Sequence, residues 1–340
     1  MWVSRKGASL ESLGFANDDF FNWLDNEYPN SLIDDAYMSC SLDDTLFSVK
    51  KNKLYHGAVL VDYEAYDTAI FTFNAELVTK DNYKKIEDVY FWIKENTNIK
   101  IINHLDDYAL DAQKELYFEH LKKNGLRIPN YKVILSEEDL DKIPFPYILK
   151  LNNLHQWRKV YNVREATECY RILKGTIEKD EVQKGLRFDY KFSGVKPSQL
   201  HYETKIIAVE FIDNFNGKYC SSSSVSHING NLFYQYTLPS LEQGKDSIHI
   251  NDVVDFDIFF EAQEELKEVI KNNKKDFDKV AEISLDTTKI DFLIKDGVPV
   301  FLEQGVKIGT SNNIINLEKH YKNMDLNRNY ANIMKMILDK

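Results

Sequence analysis

Cysteine is scarce: Cys40, Cys169 and Cys220 are the only 3 in 340 residues, widely spaced and without a Cys-x-x-Cys pair. An odd, scattered set fits neither a disulfide framework nor a zinc site, and it leads us to expect reduced thiols in a cytoplasmic protein. Long apolar runs are also missing. Residues 147–149 and 206–209 fall far short of a membrane-spanning helix. Glu11, Asn17, Asp18 and Asp19 interrupt the stretch where a signal peptide would carry its apolar core. Basic residues are outnumbered, 43 Lys+Arg against 54 Asp+Glu, for a net charge of −11. Such a surface repels phosphate backbones and anionic headgroups, so neither nucleic acid nor membrane is an expected partner. A local basic cleft can still hold a nucleotide. No internal repeat or low-complexity linker is visible. His104, His120, His155, His227, His249 and His320 do not cluster at metal-ligand spacing. The serine run at 221–224 lacks a Gly-x-Ser-x-Gly context and reads as a polar strand or loop.

What is present is a soluble globular balance, 43% hydrophobic and 29% charged, on a chain long enough for more than one core. The first hundred residues read as a small α/β unit, with strands at 57–62 and 99–102 and a helix at 83–95. Leu110, Tyr117 and Leu121 then recur at helical spacing, with Gly125 placed for a left-handed cap and Pro129 beyond it. A strand is expected at 145–151. A helix follows with Asn162 as its cap, Val163, Ala166, Tyr170 and Leu173 as its stripe, and Gly175 as its stop. Residues 175–203 are rich in Lys and Arg and read as an insertion or long connection. A strand at 205–212 and a helix through Phe256, Phe259, Phe260, Gln263 and Ile270 come next. Two strands around Asp296-Gly297 form the closing hairpin. The order predicts an α+β fold with antiparallel sheets.

Several residues stand out chemically. Lys150 is the one charge in the strand FPYILKL, so its ammonium must meet an anion or reach solvent. Asp291 and Glu303 sit inside apolar strands on either side of the hairpin turn, placed to converge on one cation. Glu210 and Asp213 bracket Phe211 and Ile212 at a strand end. Lys114, taken alone, reads as one lysine on a solvated helix face.

In their order, these segments resemble the ATP-grasp superfamily of ATP-dependent carboxylate ligases over about residues 100–320. The motifs are Asn103 ahead of a helix bearing Lys114, the exit Gly125-Leu126-Arg127-Ile128-Pro129, the strand lysine Lys150, the segment Glu210-Phe211-Ile212, Ile290-Asp291-Phe292, and Phe301-Leu302-Glu303-Gln304-Gly305. The resemblance implies an ATP-grasp fold, with two α+β subdomains sandwiching ATP behind a small α/β N-terminal domain. It divides the chain into 1–102, a central lid subdomain at 103–203 with the insertion 175–203, and a C-terminal subdomain at 204–340. Lys114 and Lys150 would face the phosphates. Glu210, Phe211 and Ile212 would form the adenine hinge with Asp213 near the ribose, and Asp291 and Glu303 would hold Mg²⁺. Arg158 and Lys159 would cap the phosphates from a hairpin tip. Two positions depart from the family: Gly305 stands where Asn is usual, and residues 151–160 contain no glycine. Residues 307–312 lie where such enzymes often contact the acceptor or phosphate. The implied activity joins a carboxylate to an amine or hydroxyl through an acylphosphate, releasing ADP and phosphate, with a peptide among the candidate substrates. A nucleotide-binding relative without catalysis is the alternative, and a homodimer is compatible with either.

Overall fold

A computed structural model describes residues 2–4, 47–73, 75–188, 196–245, 248 and 255–305. The 307–312 segment, His249 and His320 lie outside those residues. β1 (Trp2–Ser4) precedes a three-stranded meander of β2 (Phe47–Lys50), β3 (Lys53–His56) and β4 (Val59–Leu60). β5 (Thr68–Thr72) and β6 (Lys100–Ile102) join β1 in a parallel sheet ordered β1-β5-β6. Between them runs α1 (Lys80–Asn96), opened by Thr79, whose side chain accepts the Asn82 N–H. It buries Ile86, Val89, Tyr90 and Ile93, spaced three and four apart, against Phe71 and Phe73. The expected helix at 83–95 and strand at 99–102 are present, and the strand at 57–62 shrinks to β4.

Two short helices follow, α2 (Tyr108–Ala112) and α3 (Lys114–Lys123), separated by an extended Gln113. Gly125 adopts the left-handed φ of +77° anticipated for the cap.

The second sheet contains β7 (Tyr131–Val133), β8 (Tyr147–Leu151), β9 (Gln156–Val160), β10 (Arg187–Phe188) and β11 (Ile206–Glu210), in the order β10-β9-β8-β11-β7. Its adjacent pairs are antiparallel. α4 (Val163–Glu178) covers one face, burying Ala166, Cys169 and Leu173 against Leu149, Leu151 and Val160. Asn162 caps it by accepting the Glu165 N–H. The helix does not stop at Gly175. It continues because buried Thr176 donates from its hydroxyl to Gln156 Oε1 at 2.8 Å, tying the last turn to β9. The expected insertion therefore begins inside a helix, and its described part supplies β10. There the Arg187 guanidinium lies 4.9 Å from the Trp157 ring.

The third sheet comprises β12 (Cys220–Ile228), β13 (Asn231–Ser240), β14 (Thr287–Lys295) and β15 (Val298–Gly305), in the order β13-β12-β14-β15. Asn229-Gly230 and Asp296-Gly297 all have positive φ, the two-residue turn geometry that matches strand twist. α5 (Phe256–Asn272) and α6 (Lys274–Ile283) pack on one face. There Leu266, Phe277 and Val280 meet Val225, Ile290, Phe292 and Phe301, together with Tyr117 and Leu121 from α3. The other face carries Ser224, Ser226, Lys289, Asp291 and Glu303, with Leu293 and Val300 beyond them. The architecture is α+β, and no described helix is long and apolar enough to cross a membrane.

Asn103 clasps the first and third sheets. It is fully buried in a left-handed conformation, φ +62°. Its Nδ2 donates to the Phe71 carbonyl at 2.9 Å and to Thr287 Oγ1 at 2.6 Å, and its Oδ1 accepts the Thr287 N–H at 2.9 Å. Alanine would strand a buried donor and a buried acceptor in a conformation it dislikes. Asn103→Ala should therefore lower unfolding free energy by about 2–4 kcal/mol, read by urea denaturation. A change within experimental error would mean the clasp is dispensable.

Candidate functional site

Residues directly opposite on antiparallel strands share a face. Lys150 lies opposite Trp157 on β9 and Ile207 on β11, and Lys159 lies opposite Ile148. These five side chains therefore face away from α4. Ile207 and Val209 are covered there by Phe118 of α3. Lys150, beyond that cover, is half-buried and has no hydrogen-bond or ion-pair partner among the described residues. Burial, and then the like charge of Lys114, push its ammonium down to about 8, against smaller opposing pulls from Glu303 and Glu76.

Lys114 overturns its solvated-helix reading. Its side chain is only 7% exposed, held by Glu76 at 2.5 Å and Glu303 at 3.2 Å. Burial opposes its charge, but Glu303 and Glu76 outweigh burial and hold it firmly protonated. Glu76 follows β5 and also meets His155 Nε2 at 2.9 Å. Burial raises the Glu76 carboxyl, yet Lys114 and His155 prevail and bring it down to about 2. Asp111, on α2, is buried beside this cluster. Desolvation, followed by the Glu76 charge, keeps its carboxyl well above the usual range. Its Oδ1 lies 3.6 Å from where a side chain on Gly305 would begin.

Asp291 and Glu303 face each other across β14 and β15 because of a bulge. Phe292 opposes Phe301, whereas Asp291 opposes Glu303, leaving Leu302 as the extra residue. In a regular ladder Leu302 would oppose Asp291 and Glu303 would oppose Ile290, on the core face. Each carboxylate already has a cation: Lys289 lies 2.8 Å from Asp291, and Lys114 reaches Glu303. The Ser224 hydroxyl also donates to Asp291. Both are hard oxygen donors on the polar face, 24% and 35% exposed, and suit Mg²⁺. Among the described residues no three His, Cys, Asp or Glu side chains form a metal-binding group, so phosphate oxygens and water would fill the remaining positions.

The linker beginning at Glu210 joins the second and third sheets. The Glu210 carboxylate accepts the Asn130 N–H at 2.9 Å and its Nδ2 at 2.7 Å. Phe211 N–H donates to the Pro146 carbonyl at 3.3 Å. Asp213 Oδ1 accepts the Phe215 N–H, its Oδ2 accepts from Gln243, and its carbonyl accepts from Lys295. Ile212, between them, is half-buried. Lys159 reaches this linker, with its Nζ 3.3 Å from the Phe211 ring centroid while donating to the Gly244 carbonyl at 2.7 Å.

Arg158 and Lys159 do not sit together at a hairpin tip. Residues 152–155 form the tip, and the two basic residues alternate within β9. Arg158 opposes Leu149 on the α4 side and lies 3.4 Å from Glu168, away from Lys150. Lys114 thus meets Glu303, which opposes Asp291, with Lys150 in electrostatic reach of Lys114 and Glu303, while Lys159 sits against Phe211 of the linker. Sequence reasoning missed Glu76, Asp111, His155, Ser224 and Lys289. Only Lys289 carried a signal, since its i,i+2 spacing from Asp291 puts both on one strand face.

No family model and no curated protein matches the chain. It is similar to the solved structure of D-alanine–D-alanine ligase from Bacillus anthracis complexed with ATP: 14% identity, TM-score 0.46, covering 80% of this chain and 77% of that one. A RimK domain ATP-grasp protein from Sphaerobacter thermophilus gives 13% identity, TM-score 0.46 and 80% of each chain. N5-carboxyaminoimidazole ribonucleotide synthetase from Thermotoga maritima gives 13% identity and TM-score 0.44, over 91% of this chain and 69% of that one.

An unbalanced ammonium at Lys150 has a stability consequence. Its folded value of about 8 lies below its ordinary 10.5, so the unfolded chain binds the extra proton between those pH values. The penalty is therefore full below pH 8 and fades as pH rises to 10.5. Lys150→Met should raise the urea midpoint at pH 7, with the gain shrinking across that window. An unchanged midpoint at pH 7 would show that the charge costs the fold nothing.

Proposed function

We propose that the cleft between the second and third sheets binds ATP and that the protein is an ADP-forming ligase joining a carboxylate to an amine or hydroxyl. One observation carries the reading. Lys150, on the face of its sheet away from α4 and within electrostatic reach of Lys114, has no hydrogen-bond or ion-pair partner among the described residues, as suits an ammonium that meets a ligand oxygen. The motif order supports the same reading, and the polar third-sheet face supplies carboxylates opposite the two lysines.

In this account Lys150 and Lys114 neutralise phosphate oxygens as ATP settles. Residues 210–213 receive the adenine and ribose, chiefly through main chain, because the Glu210 carboxylate is committed to Asn130. Lys159 fixes the Phe211 ring at that end, a positioning role, while Arg158 stays with α4. Asp291 and Glu303 would hold the accompanying Mg²⁺, which neutralises charge on the phosphate oxygens. A substrate carboxylate oxygen attacks the γ-phosphorus and ADP leaves. The acceptor amine or hydroxyl then attacks the acyl carbon of the acylphosphate, loses its proton, and releases phosphate. The protein contributes positioning and fixed charge. The division at 1–102, 103–203 and 204–340 gives this reading an N-terminal domain, a lid and a C-terminal subdomain. The N-terminal unit and the 175–203 region are the parts placed to choose the substrate, with a peptide among the candidates.

A second reading, nucleotide binding without turnover, is favoured by Gly305 and by carboxylates already paired with ammoniums. Calorimetry tests the shared step. Lys150→Ala should weaken ATP binding by about 1–3 kcal/mol, the worth of a charge-assisted hydrogen bond. Equal affinity in the variant would sink the phosphate assignment. ADP release on adding candidate carboxylates and amines separates the two readings: release that Glu303→Gln abolishes supports the ligase, and none under any condition supports the binder.

A further inference from the structure

The opposed carboxylates Asp291 and Glu303 raise a question that the nucleotide-site reading leaves open. Like charges facing each other on paired strands repel, so something must hold them together when the cleft is empty. Two ammoniums do so. Lys289 stands 2.8 Å from Asp291 and Lys114 stands 3.2 Å from Glu303. Lys289 is on the same strand as its carboxylate, whereas Lys114 arrives from α3 and is anchored separately by Glu76 at 2.5 Å. Glu76, Glu303 and Asp291 thus meet Lys114 and Lys289 at ion-pair distance.

We propose that Lys114 and Lys289 are placeholder cations for this carboxylate pair, so that the pair takes a divalent metal only together with a polyphosphate. The inference rests on the nucleotide-site reading and adds an order of binding to it. A metal ion arriving alone adds two positive charges to a partly buried cluster and meets both ammoniums still in place. A metal arriving with a polyphosphate brings the anions to which the displaced ammoniums can turn, and Lys150, which has no ion-pair partner among the described residues, can receive one. Glu303 then passes from Lys114 to the metal, while Glu76 keeps Lys114 at the cleft wall. Glu76 is therefore a positioning residue, and the 2.9 Å His155 contact fixes it to the tip of the β8–β9 hairpin.

Binding of Mn²⁺ tests this on the full chain, followed by the electron paramagnetic resonance of free Mn²⁺, with ADP–Mn²⁺ mixtures lacking protein as reference. The parent should take up Mn²⁺ at least about tenfold more tightly with ADP than without it. Lys289→Met should bind Mn²⁺ without nucleotide at least about tenfold more tightly than the parent, the scale of one removed, partly screened ammonium. Adding Glu303→Gln should erase that gain, which excludes capture by the acidic surface. Lys289→Gln repeats the test should the methionine variant fail to fold by circular dichroism. Mn²⁺ affinity in the parent that ignores ADP, or no gain in either Lys289 variant, overturns the placeholder role. Metal-free calorimetry with ADP on the same samples separates the two levels. ADP bound without the Mn²⁺ gain defeats the placeholder alone, whereas no ADP binding defeats the nucleotide site and the inference with it.

Discussion

An ammonium shut away from water must be given anions at fixed positions, and the arrangement around Lys114 follows from that requirement. The anions come from opposite ends of the chain: Glu76 beyond β5 and Glu303 on β15. Meeting them forces the N-terminal unit, α3 and the closing hairpin to converge on one point. His155 adds the β8–β9 hairpin tip to the same point. A charge that is costly to bury thereby ties together elements from distant parts of the chain. Asn103 repeats the logic with neutral groups a short distance away, linking Phe71 and Thr287.

The second constraint is strand alternation. On β8 and β9 it sends Lys150 and Lys159 to the face away from α4 and Arg158 to the α4 side, so adjacent basic residues with similar chemistry end up in different places. On β15 one extra residue reverses the alternation, and Glu303 joins Asp291 on the polar face while Phe301 stays in the core. A polar face bearing Ser224, Lys289, Asp291 and Glu303 is tolerable only because each charge has a partner at short range.

Much of this was legible in the sequence, for physical reasons. Lys150 stood out because one charge in an apolar strand needs an explanation. The Asp296-Gly297 turn announced the hairpin and put Asp291 and Glu303 near one another, although the bulge that aligns them leaves no mark in composition. Lys289 could have been read from its spacing to Asp291. Glu76 and His155 could not, because their contacts join residues far apart in the chain and depend on how layers dock. Arg158 was misplaced because residues 156–160 read as a hairpin tip, whereas pairing with β8 and β10 makes them a central strand. Gly175 misled for a similar reason, since a tertiary hydrogen bond from Thr176 overrides the local stop signal.

The central claim is that the space beside Lys114 and Lys150 is a phosphate site at one end of a nucleotide cleft that ends at residues 210–213. A crystal structure of the chain with a non-hydrolysable ATP analogue tests this most directly. The account predicts phosphate oxygens within hydrogen-bonding distance of Lys150 Nζ and the adenine ring against the main chain of 210–213. A nucleotide bound elsewhere, or a cleft empty beside Lys150 at saturating analogue, would contradict it.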